Sequence, residues 1–238
     1  MPWDIWLIFL VLGVIVPWRG RIRLRQLLAK PEVTSAERLS LYRSTIAFQW
    51  FAVGVAGWRA WARGYSLQQL GLVFQRRGLL VAVAVLGGAI LSALHWVNLR
   101  RMGRTSSKAR ELIQQMAERI LPRSKPEVAT FLVLALTAGV CEEFLYRGFA
   151  MAALSRAGLP TWTVILTSAI LFGLAHLYQG RGGLVGTLLL GAIFGGLRAA
   201  TGSLLPPMVW HAMIDIVAGV AGPRLLLGLE LTGDKSNS

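Results

Sequence analysis

The sequence predicts an all-α fold, a polytopic membrane bundle of about seven helices, with six to eight compatible with the pattern. Two facts of composition and one of pattern predict it. Hydrophobic residues make up 55% of the 238 and charged residues only 15%, and the mean hydropathy is +0.56. The apolar residues gather into runs at roughly 3–18, 45–62, 79–99, 127–154, 161–178, 183–200 and 203–222. Most of these hold the ~17–25 residues that a helix needs to cross the hydrocarbon region.

Taken in order, the first run is a marginal span, with Trp3, Trp6 and Trp18 as interface anchors. The runs at 45–62 and 79–99 lie between two arginine-rich stretches. The run at 127–154 is long enough to tilt strongly, or to end in a short interfacial helix before Gly158 and Pro160. In 183–200, Gly191 and Gly195 form a small-xxx-small pair beside Gly196, which lets a neighbouring helix come close. Thr201, Gly202, Ser203, Pro206 and Pro207 break the helical pattern around the start of the last run. Irregular backbone at that depth is tolerated only where protein or a wet cavity satisfies it. Residues 105–121 read either as an amphipathic surface helix, with Leu112, Ile113, Met116 and Ile120 on one side, or as a solvated linker helix. Gly233–Ser238 reads as a disordered tail. The expected division is 1–126 for the N-terminal helices and basic loops, 127–222 for a helical core, and 223–238 for the tail.

The formal net charge of +14 raises the question of nucleic acid, but the placement of the charge argues against it. One basic block holds Arg19, Arg21, Arg23, Arg25, Lys30, Arg38 and Arg43; another holds Arg100, Arg101, Arg104, Lys108, Arg110, Arg119, Arg123 and Lys125. Clusters between apolar spans read as cytoplasmic loops that touch anionic headgroups of the bilayer. With 19–44 and 100–126 both cytoplasmic, the N-terminus and 63–78 lie outside, the latter despite Arg63, Arg76 and Arg77. That orientation suits an inner cell membrane. Asp4 before the first run and arginines after it reverse the order of a cleavable signal peptide. A single cysteine, Cys141, excludes an intrachain disulfide and any multi-cysteine zinc site.

Three motifs place ionisable groups inside apolar runs: EEFLYR at 142–147, FGLAH at 172–176 and HAMID at 211–215. Between Phe131 and Phe149, nine strong apolar residues favour insertion by ~3–5 kcal/mol, while Glu142, Glu143 and Arg147 facing lipid would cost ~8–10 kcal/mol. These groups therefore face a protein interior or a hydrated cavity. Glu143 and Arg147 are four apart and form a natural ion pair, which turns Glu142 elsewhere. His211 and Asp215 share a face by the same spacing, so Asp215 can orient the imidazole. Phe172 is four before His176, where its ring shapes the pocket. Glu142 is 18 residues before Pro160 and His176 is 16 after it, which carries both to similar depth.

Two chemistries fit these residues. Glu142 can act directly as general base, with His176 sharing the proton and His211 donating to an oxyanion. Alternatively Glu142, His176 and His211 bind Zn²⁺, which acidifies a bound water. Spacing does not choose between them. His95, beside Trp96, reads as a core residue, and Cys141 as a small buried hydrophobe. Ser168 lacks a G-x-S-x-G setting, and no H-E-x-x-H occurs.

The ordered trio resembles the CPBP family, the CAAX-processing type II and bacteriocin-processing intramembrane endopeptidases, also called Abi. Its pattern of EExxxR, FxxxH and HxxxN or HxxxD is matched over about 127–222. The resemblance implies a helical membrane enzyme that cleaves peptide bonds, with catalysis by Glu142, His176 and His211. The position of Asp215 is commonly asparagine in that family, and an ionised aspartate cannot donate to an oxyanion, so an orienting or ligand role is expected. The expected activity is hydrolysis of a peptide bond in a membrane-associated or lipidated protein or peptide. The rivals are a non-proteolytic immunity or scaffold protein and a proton-coupled transporter. Against the transporter, no matching motif set occupies the first half.

Overall fold

The computed structural model describes residues 2–104 and 108–229. Among them the chain forms eight helices and no β-strand. The seven apolar runs become α1 (Trp3–Leu28), α2 (Ser35–Ala62), α3 (Arg77–Arg104), α5 (Lys125–Arg156), α6 (Thr161–Ala175), α7 (Gly180–Thr201) and α8 (Leu205–Leu227). The eighth, α4 (Lys108–Ile120), is the amphipathic segment. Five of them, α1, α3, α5, α7 and α8, are long and apolar enough to cross a membrane. The 28 residues of α2 include Arg38, Arg43, Gln49 and Arg59 among apolar neighbours. The 15 residues of α6 fall short of a full crossing. Large apolar side chains such as Trp6, Phe51, Trp58, Leu86, Ile90 and Trp162 face outward. Hydrocarbon covers such a surface and water does not. The protein is an integral, multi-pass membrane protein.

Two elements run further than the sequence reading placed them. Arg19, Arg21, Arg23 and Arg25 lie on α1 and not in a loop, because arginine is a good helix former and Arg23 Nη2 donates to Ser44 Oγ at 2.7 Å. The run at 127–154 does not end in a separate interfacial helix. It continues to Arg156 through a π-helical stretch, Phe144–Ala150. Such a stretch leaves backbone groups out of the regular ladder, and Ser168 Oγ donates to the Tyr146 carbonyl there at 2.9 Å.

Hydrogen bonds fix which segments share an end of the bundle. At one end Arg119 donates to the carbonyls of Leu27 and Lys30, at 3.2 and 3.1 Å, and Tyr42 Oη donates to the Ile120 carbonyl. There α2 begins with a capping box, in which Thr34 Oγ1 accepts from the Glu37 amide and Glu37 accepts from the Thr34 amide. The Lys30 ammonium and this cap hold the pKa of the Glu37 carboxyl down at about 2. At the other end Asp4 accepts from both Arg59 and Arg63, and Arg156 donates to the Arg63 carbonyl at 2.8 Å. The N-terminal end of α1 and the start of 63–78 thus lie opposite the basic segments, and Asp4 pairs with Arg63, one of the three arginines of 63–78.

Close packing aligns the helices that carry the motifs. α5 lies between α2 and α8, α3 runs along α8, and α6 pairs with α7. A Cβ on Gly139 would stand 2.8 Å from both the Ala212 Cβ and the Met208 carbonyl, so only glycine lets α5 and α8 approach this closely. Gly191 and Gly195 face Ala169 and Ile165 of α6 as the small-xxx-small pair predicts, while Gly196 faces open space. The described part of 105–121 docks α4 on the bundle, where Ala117 and Leu121 pack with Leu99 and Leu226; residues 105–107 and the Gly233–Ser238 tail lie outside the described residues.

Candidate active site

Glu142 lies well inside the bundle. At 1.5 Å per residue it is about 26 Å along α5 from Lys125 and about 21 Å from Arg156. α6 starts near the Arg156 end and stops after 15 residues, so it delivers His176 at its cap to comparable depth. There the His176 amide donates to the Gly173 carbonyl and the His176 carbonyl accepts from the Gln179 amide. This is irregular backbone at membrane depth, and it is satisfied by protein.

The two side chains meet. Glu142 Oε2 is 3.9 Å from His176 Nε2. The other ring nitrogen, Nδ1, lies 2.9 Å from the Phe172 carbonyl. A carbonyl only accepts, so Nδ1 carries a proton, and in the neutral form of the ring Nε2 is the acceptor that faces Glu142. Glu142 Oε1 accepts from Gln49 Nε2 at 2.7 Å, while Oε2 is buried with no hydrogen bond from protein. Two free acceptors thus face each other across a gap too long for a direct bond.

Glu143 points the other way and is fully buried, as is Arg147. The expected i,i+4 pair is present, with Arg147 Nη1 donating to Glu143 Oε1 at 2.8 Å. The same oxygen also accepts from His211 Nδ1 at 2.9 Å. Asp215 Oδ2 is 3.6 Å from His211 Nε2, outside hydrogen-bond reach. The imidazole of His211 is therefore oriented by Glu143, a role the sequence reading had given to Asp215. Asp215 sits on the far side of the ring as a second carboxylate.

Aromatic rings hold this constellation apart from lipid. Phe172 stands between the histidines, its centroid 4.5 Å from the His176 ring and 5.8 Å from that of His211. The Arg147 guanidinium lies 4.2 Å above Phe172 and 5.6 Å from Phe194, so the buried cation gains ring contacts where hydrogen-bond partners run out. Phe194 also packs 6.1 Å from the His211 ring. Gly191 makes room for this, since a Cβ there would stand 3.2 Å from Arg147 Nη2.

The structure brings together all seven candidates, Glu142, Glu143, Arg147, Phe172, His176, His211 and Asp215. Cys141 is fully buried next to Glu142, and His95 lies on α3 with a buried, unpartnered Nε2. Two contributors escaped the sequence reading. Gln49 had one signal, a lone amide in an apolar run; Phe194 had none that separates it from ordinary core. Among the described residues, no three His, Cys, Asp or Glu side chains gather into a set that would hold a metal ion. Glu142 faces His176, whereas His211 is bonded to Glu143. The residues present do not fit a three-donor zinc site, and no step below is routed through a metal.

Next to the site is an apolar cavity of about 250 Å³ between α1, α2 and α5. Its lining includes Leu24, Leu27, Leu41, Phe48, Leu134 and Tyr178, with Arg19 and Arg23 as its cations. Phe48 is the sequence neighbour of Gln49 and Tyr178 lies two residues after His176, and the Tyr178 and His176 rings are 6.0 Å apart.

A helical membrane bundle with two carboxylates and two imidazoles paired in its interior is the arrangement that the motif trio leads one to expect. A family model described as type II CAAX prenyl endopeptidase Rce1-like matches residues 124–217, roughly two fifths of the chain. That segment is similar to this family of endopeptidases. No curated protein and no solved structure matches the chain.

Proposed function

We propose that the protein hydrolyses a peptide bond of a membrane-associated or lipidated protein or peptide, using water activated by Glu142. The observation that carries this reading is the 3.9 Å separation of Glu142 Oε2 and His176 Nε2. A water molecule making ordinary ~2.8 Å hydrogen bonds reaches both acceptors at once. Its oxygen then attacks the scissile carbonyl carbon while Glu142 Oε2 takes one proton and His176 holds the other. His211 donates to the oxyanion from Nε2 in its doubly protonated form, with Nδ1–H held by Glu143 and the Glu143 and Asp215 carboxylates on either side favouring the cation. The proton on Glu142 passes to the departing amine nitrogen as the C–N bond breaks, and the second water proton, held by His176, follows it to the amine, leaving a new carboxylate, an ammonium group and the site in its starting state. The neighbouring apolar cavity suits the hydrophobic part of such a substrate, and Arg19 and Arg23 suit an anionic group on it. The basic end of the bundle faces the cytoplasm and its anionic headgroups.

The test uses purified protein in lipid nanodiscs with a panel of peptides ending in CAAX, farnesylated and unmodified. Glu142→Gln and His176→Ala are each expected to lower kcat by about 10²–10⁴-fold while the protein keeps its thermal melting point. Wild-type rates in either folded variant would overturn the enzyme reading.

A further inference from the structure

We infer that Gln49 is a positioning residue for the general base, so that the catalytic site is assembled from both halves of the chain. The inference rests on the reading of Glu142 as that base. Gln49 lies on α2, 93 residues from Glu142 and outside the segment matched to the family. It is only 8% exposed. Its Nε2 donates to Glu142 Oε1 at 2.7 Å. The amide must face this way round, because an ionised carboxylate accepts only and an amide oxygen in the same place would repel it.

The consequence is geometric. The last torsion of a glutamate is broad and nearly two-fold, so a carboxylate without partners exchanges its two oxygens freely. The bond to Gln49 occupies Oε1 and turns Oε2 toward His176 Nε2. Two further observations set this contact apart from ordinary core satisfaction. The carbonyl oxygen of the same amide, Gln49 Oε1, is buried with no hydrogen-bond partner. A slot that served packing alone would hold an apolar side chain of similar size, which strands no acceptor. The α2 helix is also fixed against α5 independently, by Arg38 Nε on Glu127 Oε2 at 2.9 Å, so Gln49 is not needed to dock the two helices.

The experiment compares wild type with Gln49→Leu and Gln49→Glu in nanodiscs, using a farnesylated CAAX peptide as the probe. Both substitutions are expected to lower kcat by about ten- to a hundred-fold with KM changed less than about two-fold, since they misplace the base without touching substrate binding. Gln49→Asn, which keeps a shorter amide, is expected to fall between. Unchanged kcat in folded Gln49→Leu would overturn the inference. Loss of activity that merely tracks a lowered melting point in all three variants would overturn it equally. If Glu142→Gln itself keeps wild-type kcat, the reading of the base fails first, and the inference falls with it. Infrared spectroscopy gives a readout independent of turnover. The carboxylate band seen in the difference between wild type and Glu142→Gln is expected to shift in the same difference taken on the Gln49→Leu background. Identical bands on the two backgrounds would show that the amide does not hold the carboxylate, whatever the activity.

Discussion

Glu143 joins three parts of the site at one atom. Its Oε1 accepts from Arg147 on its own helix and from His211 on α8, so a single fully buried oxygen ties the ion pair to the imidazole. Removing one partner of a buried pair leaves an uncompensated charge, which costs about 3–5 kcal/mol. Arg147→Leu is therefore expected to destabilise the protein by about that much, measured as loss of the folded fraction during denaturant titration in detergent micelles. Arg147→Lys keeps the charge but cannot stack its flat face between Phe172 and Phe194, so it should recover only part of the stability. The acid and imidazole residues themselves were legible in the sequence, because charge inside an apolar run is costly and the i,i+4 spacing states which neighbours share a face. The division of labour between them was not. Whether His211 bonds to Asp215 four residues on or to Glu143 68 residues back depends on how α8 is rotated against α5, and no local spacing encodes that rotation.

Among the helices, close approach at glycine sets the rotation. Gly139 is one turn before Glu143 on α5 and rests against Met208 and Ala212 of α8, which bracket His211. A methyl group there meets backbone and Cβ atoms that cannot swing aside. Gly139→Ala is expected to cost about 1–3 kcal/mol and to lower cleavage as well, because spreading α5 from α8 lengthens the His211–Glu143 bond. Gly196→Ala is the matched control. It adds the same methyl group to a helix where nothing lies within 4 Å, so it should leave activity unchanged and raise stability by up to about 1 kcal/mol. Thermal melting followed by circular dichroism, with peptide cleavage on the same samples, reads both expectations. The seven apolar runs were visible as helices because hydropathy alone marks them. The continuation of α1 through its arginines and of α5 through Phe144–Ala150 was not, because helix propensity and tertiary packing, not hydropathy, decide where those helices stop.

Across the whole molecule, the matched segment 124–217 does not stand by itself. It is joined to the N-terminal helices by a buried clamp in which Arg38 donates through Nε and Nη2 to both oxygens of Glu127, at 2.9 and 3.2 Å. Glu127 also accepts from the Arg123 amide, and Arg38 Nη1 donates to the Val33 carbonyl. The clamp closes one end of the α2–α5 contact that holds Gln49 against Glu142 further along. Two consequences can be separated by a pair of substitutions. Arg38→Met strands a fully buried carboxylate and is expected to cost about 3–5 kcal/mol. Adding Glu127→Leu removes that charge and fills the space with apolar side chains, which is expected to return most of the stability, since a buried ion pair replaced by well-packed hydrophobes is often neutral or better. Activity should follow stability in both, because the clamp serves docking and touches neither base nor imidazole. Recovery of the folded fraction without recovery of cleavage would show that the ion pair aligns α2 with α5 more finely than packing can, and would move Arg38 from holding the bundle together to setting the geometry of the site.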